Sequence, residues 1–191
     1  MSAIMNEFDR EIAIRLAFSM DLPTGEDMPK GLSDQELSSF ENRSGIRLPN
    51  VFQDWLKVTN GPCIGPGGMV GIDSRRSIQN IESIYMRHSN WPANGWIPVA
   101  NDGFGNFYVL LHEVSGLEPV AFIDCNIDPE RISYVASSNL WTFLRFYFSG
   151  ESKDIEDSQW PFDKNEVLMN DPDILKSQLP LPWECDDFQD Q

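Results

Sequence analysis

An α+β fold, in which a mostly antiparallel sheet is flanked by helices and followed by an acidic C-terminal arm, is what this sequence of 191 residues predicts. Three short apolar runs stand between Gly95 and Asp124: Trp96, Ile97, Val99 and Ala100; Phe107 to Leu111; and Val120 to Ile123. Their aromatic and β-branched side chains suit a pleated, half-buried surface. Between the runs lie Asn101-Asp102-Gly103-Phe104-Gly105-Asn106 and a segment containing Ser115-Gly116, whose glycines can take positive φ and let the chain reverse. The runs therefore predict a three-stranded antiparallel meander over 95–100, 106–111 and 119–124. Helical spacing before and after it supplies the flanking layers.

Taken in order, residues 1–22 carry Ile4, Phe8, Ile12, Leu16 and Met20 at intervals of four, which predicts an amphipathic helix with those side chains inward. Leu22-Pro23-Thr24-Gly25 breaks it. Ser33 and Glu36 form a capping box that opens a second helix with Leu37 and Phe40 on its apolar face and Gly45 at its end. Pro49 suits the first turn of a third helix carrying Phe52, Trp55, Leu56 and Thr59, with Asn60-Gly61 as a left-handed stop. Met69 to Ile72 reads as a short strand. Asp73 and Ser74 can cap a helix running to about His88 with Ile78, Ile81, Ile84 and Tyr85 inward. After the meander, Arg131 to Val135 reads as a fourth strand. Ser137, Ser138 or Asn139 caps a helix with Leu140, Phe143, Leu144, Tyr147 and Phe148 on one side, ended by Gly150. In the arm, Asp163 with Glu166, and Asp171 before Pro172, mark two further short helices. Trp160-Pro161-Phe162 and Leu179 to Trp183 are apolar anchors that should tie the arm to the domain.

Charge narrows the function. Fourteen Lys and Arg stand against thirty Asp and Glu, a net −16, and residues 151–191 alone hold three lysines against twelve acids. Nucleic acid is disfavoured as a partner, because binding it needs a basic face that displaces counterions. A basic protein partner is favoured, since the field would steer one in; acidity that only maintains solubility is the competing reading. No apolar run approaches the roughly 20 residues that span a bilayer, and acids at Glu7, Asp9 and Glu11 are unlike a secretory signal. A cytoplasmic protein is expected. Cys63, Cys125 and Cys185 are widely spaced and odd in number, so neither a disulfide framework nor a zinc site is expected.

Catalytic motifs are equally sparse. The sequence has no GxSxG elbow, no HExxH and no GK[ST] ending to its glycine-rich 62–71 loop. Cys63 has no histidine near it in sequence to activate a thiolate. Asp102 with Asp124 or Asp73 could pair as carboxylates, but thirty acids make such pairs inevitable. The 101–106 loop resembles a calcium loop superficially and lacks the glutamate at the twelfth position. No catalytic residue, metal ligand or cofactor is expected. A small-ligand pocket is the residual possibility.

Several groups of residues, taken in order, resemble the SUKH superfamily, the domain of a yeast cell-wall synthesis regulator and of many bacterial immunity proteins. They are Ser33–Glu41 leading to Leu48-Pro49, Phe52, Trp55, Leu56 and Asn60-Gly61; Gly95 to Ala100 followed by Asp102 to Asn106 and Pro119-Val120; and the helix with Phe143 and Leu144. The resemblance covers roughly residues 30–150, and the Pro180-Leu181-Pro182-Trp183-Glu184 ending is similar to tails of bacterial members. It implies three parts: an N-terminal helix and link over 1–30, a SUKH-like domain over 31–150 and the acidic arm over 151–191. It also implies binding rather than catalysis. A bacterial immunity protein that neutralises a basic toxin domain, a nuclease above all, is the first expectation; an intracellular adaptor or regulator of endogenous partners is the alternative. The candidate partner-binding residues are the acids Asp102, Asp124, Asp128, Glu151, Asp154, Glu156 and Asp157, with Phe104 in the hairpin loop and the proline-flanked Trp91 and Trp160 as anchors.

Overall fold

A computed structural model describes residues 2–23, 25–64, 67–112, 114, 116–151 and 164–185. Five strands, β1 (Gly68–Met69), β2 (Trp96–Asn101), β3 (Phe107–Leu111), β4 (Val120–Ile123) and β5 (Tyr134–Ser137), form one antiparallel sheet in the order β1-β2-β3-β4-β5. The three central strands are those predicted. Pro98 interrupts the β2–β3 register: Pro98 pairs with Val109 and Ala100 with Tyr108, which leaves Val99 in a bulge whose carbonyl accepts from Val70 N at 2.8 Å.

Every residue of β3 is buried, because both faces of the sheet are covered and successive side chains point to opposite faces. On one face Tyr108 meets Phe143 of α5 (Leu140–Glu151) at 4.9 Å between ring centroids, and Phe122 at 5.1 Å. On the other, Phe107 meets Trp91 at 5.6 Å and His88 at 5.7 Å. Behind α5 lie α1 (Ser2–Ala17) and α3 (Asn50–Val58), whose Trp55 packs edge-on against Trp141 and tilted against Phe148. α2 (Asp34–Ser44) begins with the predicted capping box: Ser33 N donates to Glu36 at 2.7 Å, and Gly45 closes it at φ 73°.

Four local expectations are corrected. The fully buried line of α1 is Asp9, Ala13 and Ala17; of the predicted line, Leu16 and Met20 pack half-buried against the core, Ile12 is half-buried and Phe8 is 58% exposed. Two alanines let the α1 backbone approach α5, and Asp9 turns in because Arg145 and Thr142 receive it, at 2.8 Å and 2.5 Å. Asp73 and Ser74 do not cap the next helix. Gly71 bridges to Asn80, with Gly71 N donating to Gln79 O and Ile81 N to Gly71 O, so the chain is extended there. α4 (Ile81–Arg87) starts after it with Asn80 as its cap, preceded by a 3-10 turn over Ser77–Gln79. The last strand sits three residues later than expected, and α5 runs through Gly150 to Glu151.

The described part of the arm, α6 (Lys164–Asn170) with 3-10 turns at Pro172–Ser177 and Pro182–Glu184, lies along β5. Val167, Ile174 and Leu181 bury against Val135, whose N–H donates to Pro180 O at 2.8 Å. Asp171 accepts from Ser138 N at 2.7 Å and from Ser138 Oγ at 2.5 Å. An edge strand is thereby covered rather than left as a template for pairing.

Candidate binding surface

In an antiparallel meander the β2–β3 and β4–β5 connections emerge at the same end of the sheet, and here they are built as one unit. Asp102 organises the first. Its Oδ1 accepts from Phe104 N at 2.8 Å and Asn106 N at 3.1 Å, and its Oδ2 accepts from Asn106 Nδ2 at 2.7 Å. Gly103 and Gly105 supply positive φ of 79° and 101° on either side of Phe104. The tight turn leaves Phe104 with no room inward, and it stands 76% exposed.

Asp124 organises the second connection in the same manner, its Oδ1 accepting from Asn126 N at 2.9 Å and Ile127 N at 3.2 Å. Asp128 Oδ1 accepts from Glu130 N at 3.0 Å. Ile127 is carried outward, 70% exposed. Asn106 ties the two loops: its Oδ1 accepts from Cys125 N at 3.0 Å and from Asn126 Nδ2 at 2.9 Å. Two apolar side chains thus stand on bracketed loops that also carry Asp102, Asp124, Asp128 and Glu130. The field of these acids is felt by the Cys125 thiol, which burial first, then Asp124 and Asp102, push up to about 11.

Trp91, expected as an anchor on the surface, is 0% exposed. It stacks on His88 at 4.2 Å and meets Trp96 and Phe107 edge-on. Its Nε1 donates to Pro129 O at 2.8 Å, so it holds the β4–β5 loop from within rather than meeting a partner. Asn90, beside it, donates to Glu130 at 3.1 Å. His88 is held below the usual histidine range by burial and by Arg87, and stays neutral against the tryptophan at pH 7. Glu151 closes α5, away from these loops in sequence; Asp154, Glu156, Asp157 and Trp160 lie outside the described residues.

The structure therefore brings together Asp102, Phe104, Asp124 and Asp128, and adds Ile127 and Asn106, which the sequence reading passed over. An isoleucine between Asn126 and Asp128, in a segment with no strand or helix period, was the available signal. Each of these carboxylates accepts backbone amides of its own turn through Oδ1, which suits shaping a surface. No group of three His, Cys, Asp or Glu among the described residues is placed to hold a metal ion. A groove of about 600 Å³ elsewhere is mostly apolar, lined by Ile46, Leu48, Tyr85 and Ile97 with Arg47 and His112 also on its wall, and the Tyr85 hydroxyl in it is already donated to Trp96 O at 3.0 Å. No helix among the described residues is long and apolar enough to cross a membrane. The sequence model of the SMI1 / KNR4 family (SUKH-1) matches residues 31–146. No curated protein matches the chain.

Proposed function

The chain belongs to the SMI1 / KNR4 family (SUKH-1), whose domains bind protein partners, and on that premise we propose that it is a cytoplasmic, non-catalytic immunity protein that neutralises a basic toxin domain. The observation that carries the reading is the end of the sheet where Phe104 and Ile127 stand exposed among Asp102, Asp124, Asp128 and Glu130. Such a face suits a partner with an apolar recess ringed by Lys and Arg, the charge a nuclease carries where it holds its substrate. Apolar anchors surrounded by charge are the usual anatomy of a specific interface. Asp102 and Asp124 fix the loop shape, Asn106 locks the two loops together, and the −16 charge speeds encounter. Glu151, Asp154, Glu156, Asp157 and Trp160 form a second group of proposed contact residues, at the start of the arm.

The test is co-expression with the toxin domain encoded beside its gene, followed by co-purification. Growth rescue and a stable complex are expected, both lost in the Phe104→Ser/Ile127→Ser double variant, whose fold is checked by circular dichroism. Rescue that survives the double variant assigns binding to another face. Absence of any complex with the neighbouring toxin removes the immunity reading.

A further inference from the structure

The outward face of α1 carries two exposed phenylalanines on either side of a glutamate and an arginine. At 100° per residue the buried line through Asp9, Ala13 and Ala17 has its opposite on Phe8, Glu11, Arg15 and Phe18. All four are exposed, the two phenylalanines by 58% and 56%. Phe18 follows the last turn of α1 and keeps its helical bond, its N–H donating to Ile14 O at 3.2 Å. The neighbouring Arg10 is already engaged, against Glu7 at 3.6 Å and over the Trp141 ring. Glu11 and Arg15 have no ion pair with any other described residue.

We infer that α1 pairs antiparallel with α1 of a second copy about a twofold axis. The argument is the symmetry of the pattern. Reversed, Phe8-Glu11-Arg15-Phe18 sets Phe8 against Phe18 of the other copy and Glu11 against Arg15 of the other copy. A parallel pairing in register would instead oppose Glu11 to Glu11 and Arg15 to Arg15, so charge selects the antiparallel form. The spacings of three, four and three residues are those of a helix-pair seam, and the two phenylalanines stand about 15 Å apart along the axis. A twofold interface uses the same patch on both copies, so each contact occurs twice. One helix face is small beside the ~1,200 Å² of a standard interface, so the dimer is weak and reversible. It leaves the loops bearing Phe104 and Ile127 free, and is independent of the partner proposed above.

Sedimentation equilibrium of the full chain from about 10 µM to about 1 mM tests it. A monomer–dimer equilibrium is expected. Glu11→Arg or Arg15→Glu alone should each lower the association constant about tenfold, because each places two like-charge pairs across the axis. The Glu11→Arg/Arg15→Glu double variant should restore it to within about threefold, since the pairs reform with signs exchanged. Phe8→Ser should abolish association. These residues lie on the solvent side, so unchanged circular dichroism and Tm are expected for every variant. A monomer across the whole range overturns the inference, as does a dimer indifferent to single reversal or not rescued by the double one. A monomer that instead binds lipid vesicles through Phe8 and Phe18 assigns the face to a membrane surface and overturns it too.

Discussion

Asn106 holds two loops with one buried amide. Its Nδ2 donates to Asp102, and its Oδ1 receives Cys125 N and Asn126 Nδ2. Asn106→Ala leaves the Cys125 N–H without its acceptor, which costs about 1–3 kcal/mol when the group stays buried. Urea unfolding reads this as a lower midpoint at constant slope; an unchanged midpoint would mean that water replaces the amide freely. Asp171 offers a second test at this scale. Burial pushes its carboxyl above the ordinary 3.8, against the hydrogen bonds from Ser138 that pull it down. A carboxyl whose native pKa exceeds its unfolded one binds its proton more tightly in the fold. Its contribution to stability is full below the unfolded value and is lost as pH rises through the native value. The stability advantage of the natural chain over Asp171→Asn should therefore narrow as pH rises above the ordinary carboxyl value of 3.8. A gap that widens over that range would show that the bonds from Ser138 outweigh burial. At the residue scale, the turn at Asp102 and Phe104 was legible because turn chemistry is local, whereas Asp124 and Asp128 were singled out for their charge and not as the acids that shape their loop. Trp91 was not: its burial depends on His88 and Phe107 closing over it and on Pro129 accepting its N–H, none of which a proline neighbour announces.

α1 shows why an element can be predicted while part of its inward face is misread, Leu16 and Met20 packing on the core and Phe8 standing out. Its apolar period was legible, but its orientation is fixed from α5, where Thr142 and Arg145 wait for Asp9. Asp9 is buried and the Arg145 side chain only 12% exposed, so Asp9→Ala leaves a guanidinium with little access to water. Removing one partner of such a pair costs about 3–5 kcal/mol. Replacing both, as Asp9→Leu/Arg145→Met, should cost distinctly less than the single change, because no unpaired charge is left. Thermal unfolding of the single and double variants separates these outcomes; a double variant worse than either single would mean that the pair itself stabilises the helix contact. The same contrast between local and distant causes runs through the other elements. The capping box of α2 and the three central strands were read correctly because cap, period and turn all lie within a few residues. The start of α4 was misplaced because the Gly71–Asn80 bridge, not the nearest capping side chain, decides where the helix begins. β5 was placed early because Ile132 and Ser133 look like strand residues; it is Tyr134 that stacks on Phe122, at 5.0 Å, and opens the strand.

Across the whole molecule, charge and apolar anchoring are divided. The arm carries twelve of the thirty acids, and its described part attaches through Val167, Ile174 and Leu181 on β5. The exposed apolar pair Phe104 and Ile127 sits at the loop end of the sheet, with acids of its own. The overall charge was legible from composition; the bracketed loop pair was not, since Asn106 and Asn126 meet only once β3 and β4 are paired. This division predicts how a basic partner associates. A field spread over the molecule acts before contact and sets the on-rate, whereas anchors act after contact and set the off-rate. Screening shortens the reach of the field to about 10 Å at 0.1 M salt and about 3 Å at 1 M. Stopped-flow association with the toxin domain should therefore slow steeply as salt rises. Asp128→Asn or Glu130→Gln should lower the on-rate about two- to threefold at low salt, with little change in the off-rate. Phe104→Ala should leave the on-rate nearly unchanged and raise the off-rate by tenfold or more, about 1.4 kcal/mol, if it fills an apolar recess. An on-rate flat across the salt series would assign the −16 charge to solubility alone, and an off-rate indifferent to Phe104 would move the contact away from this end of the sheet.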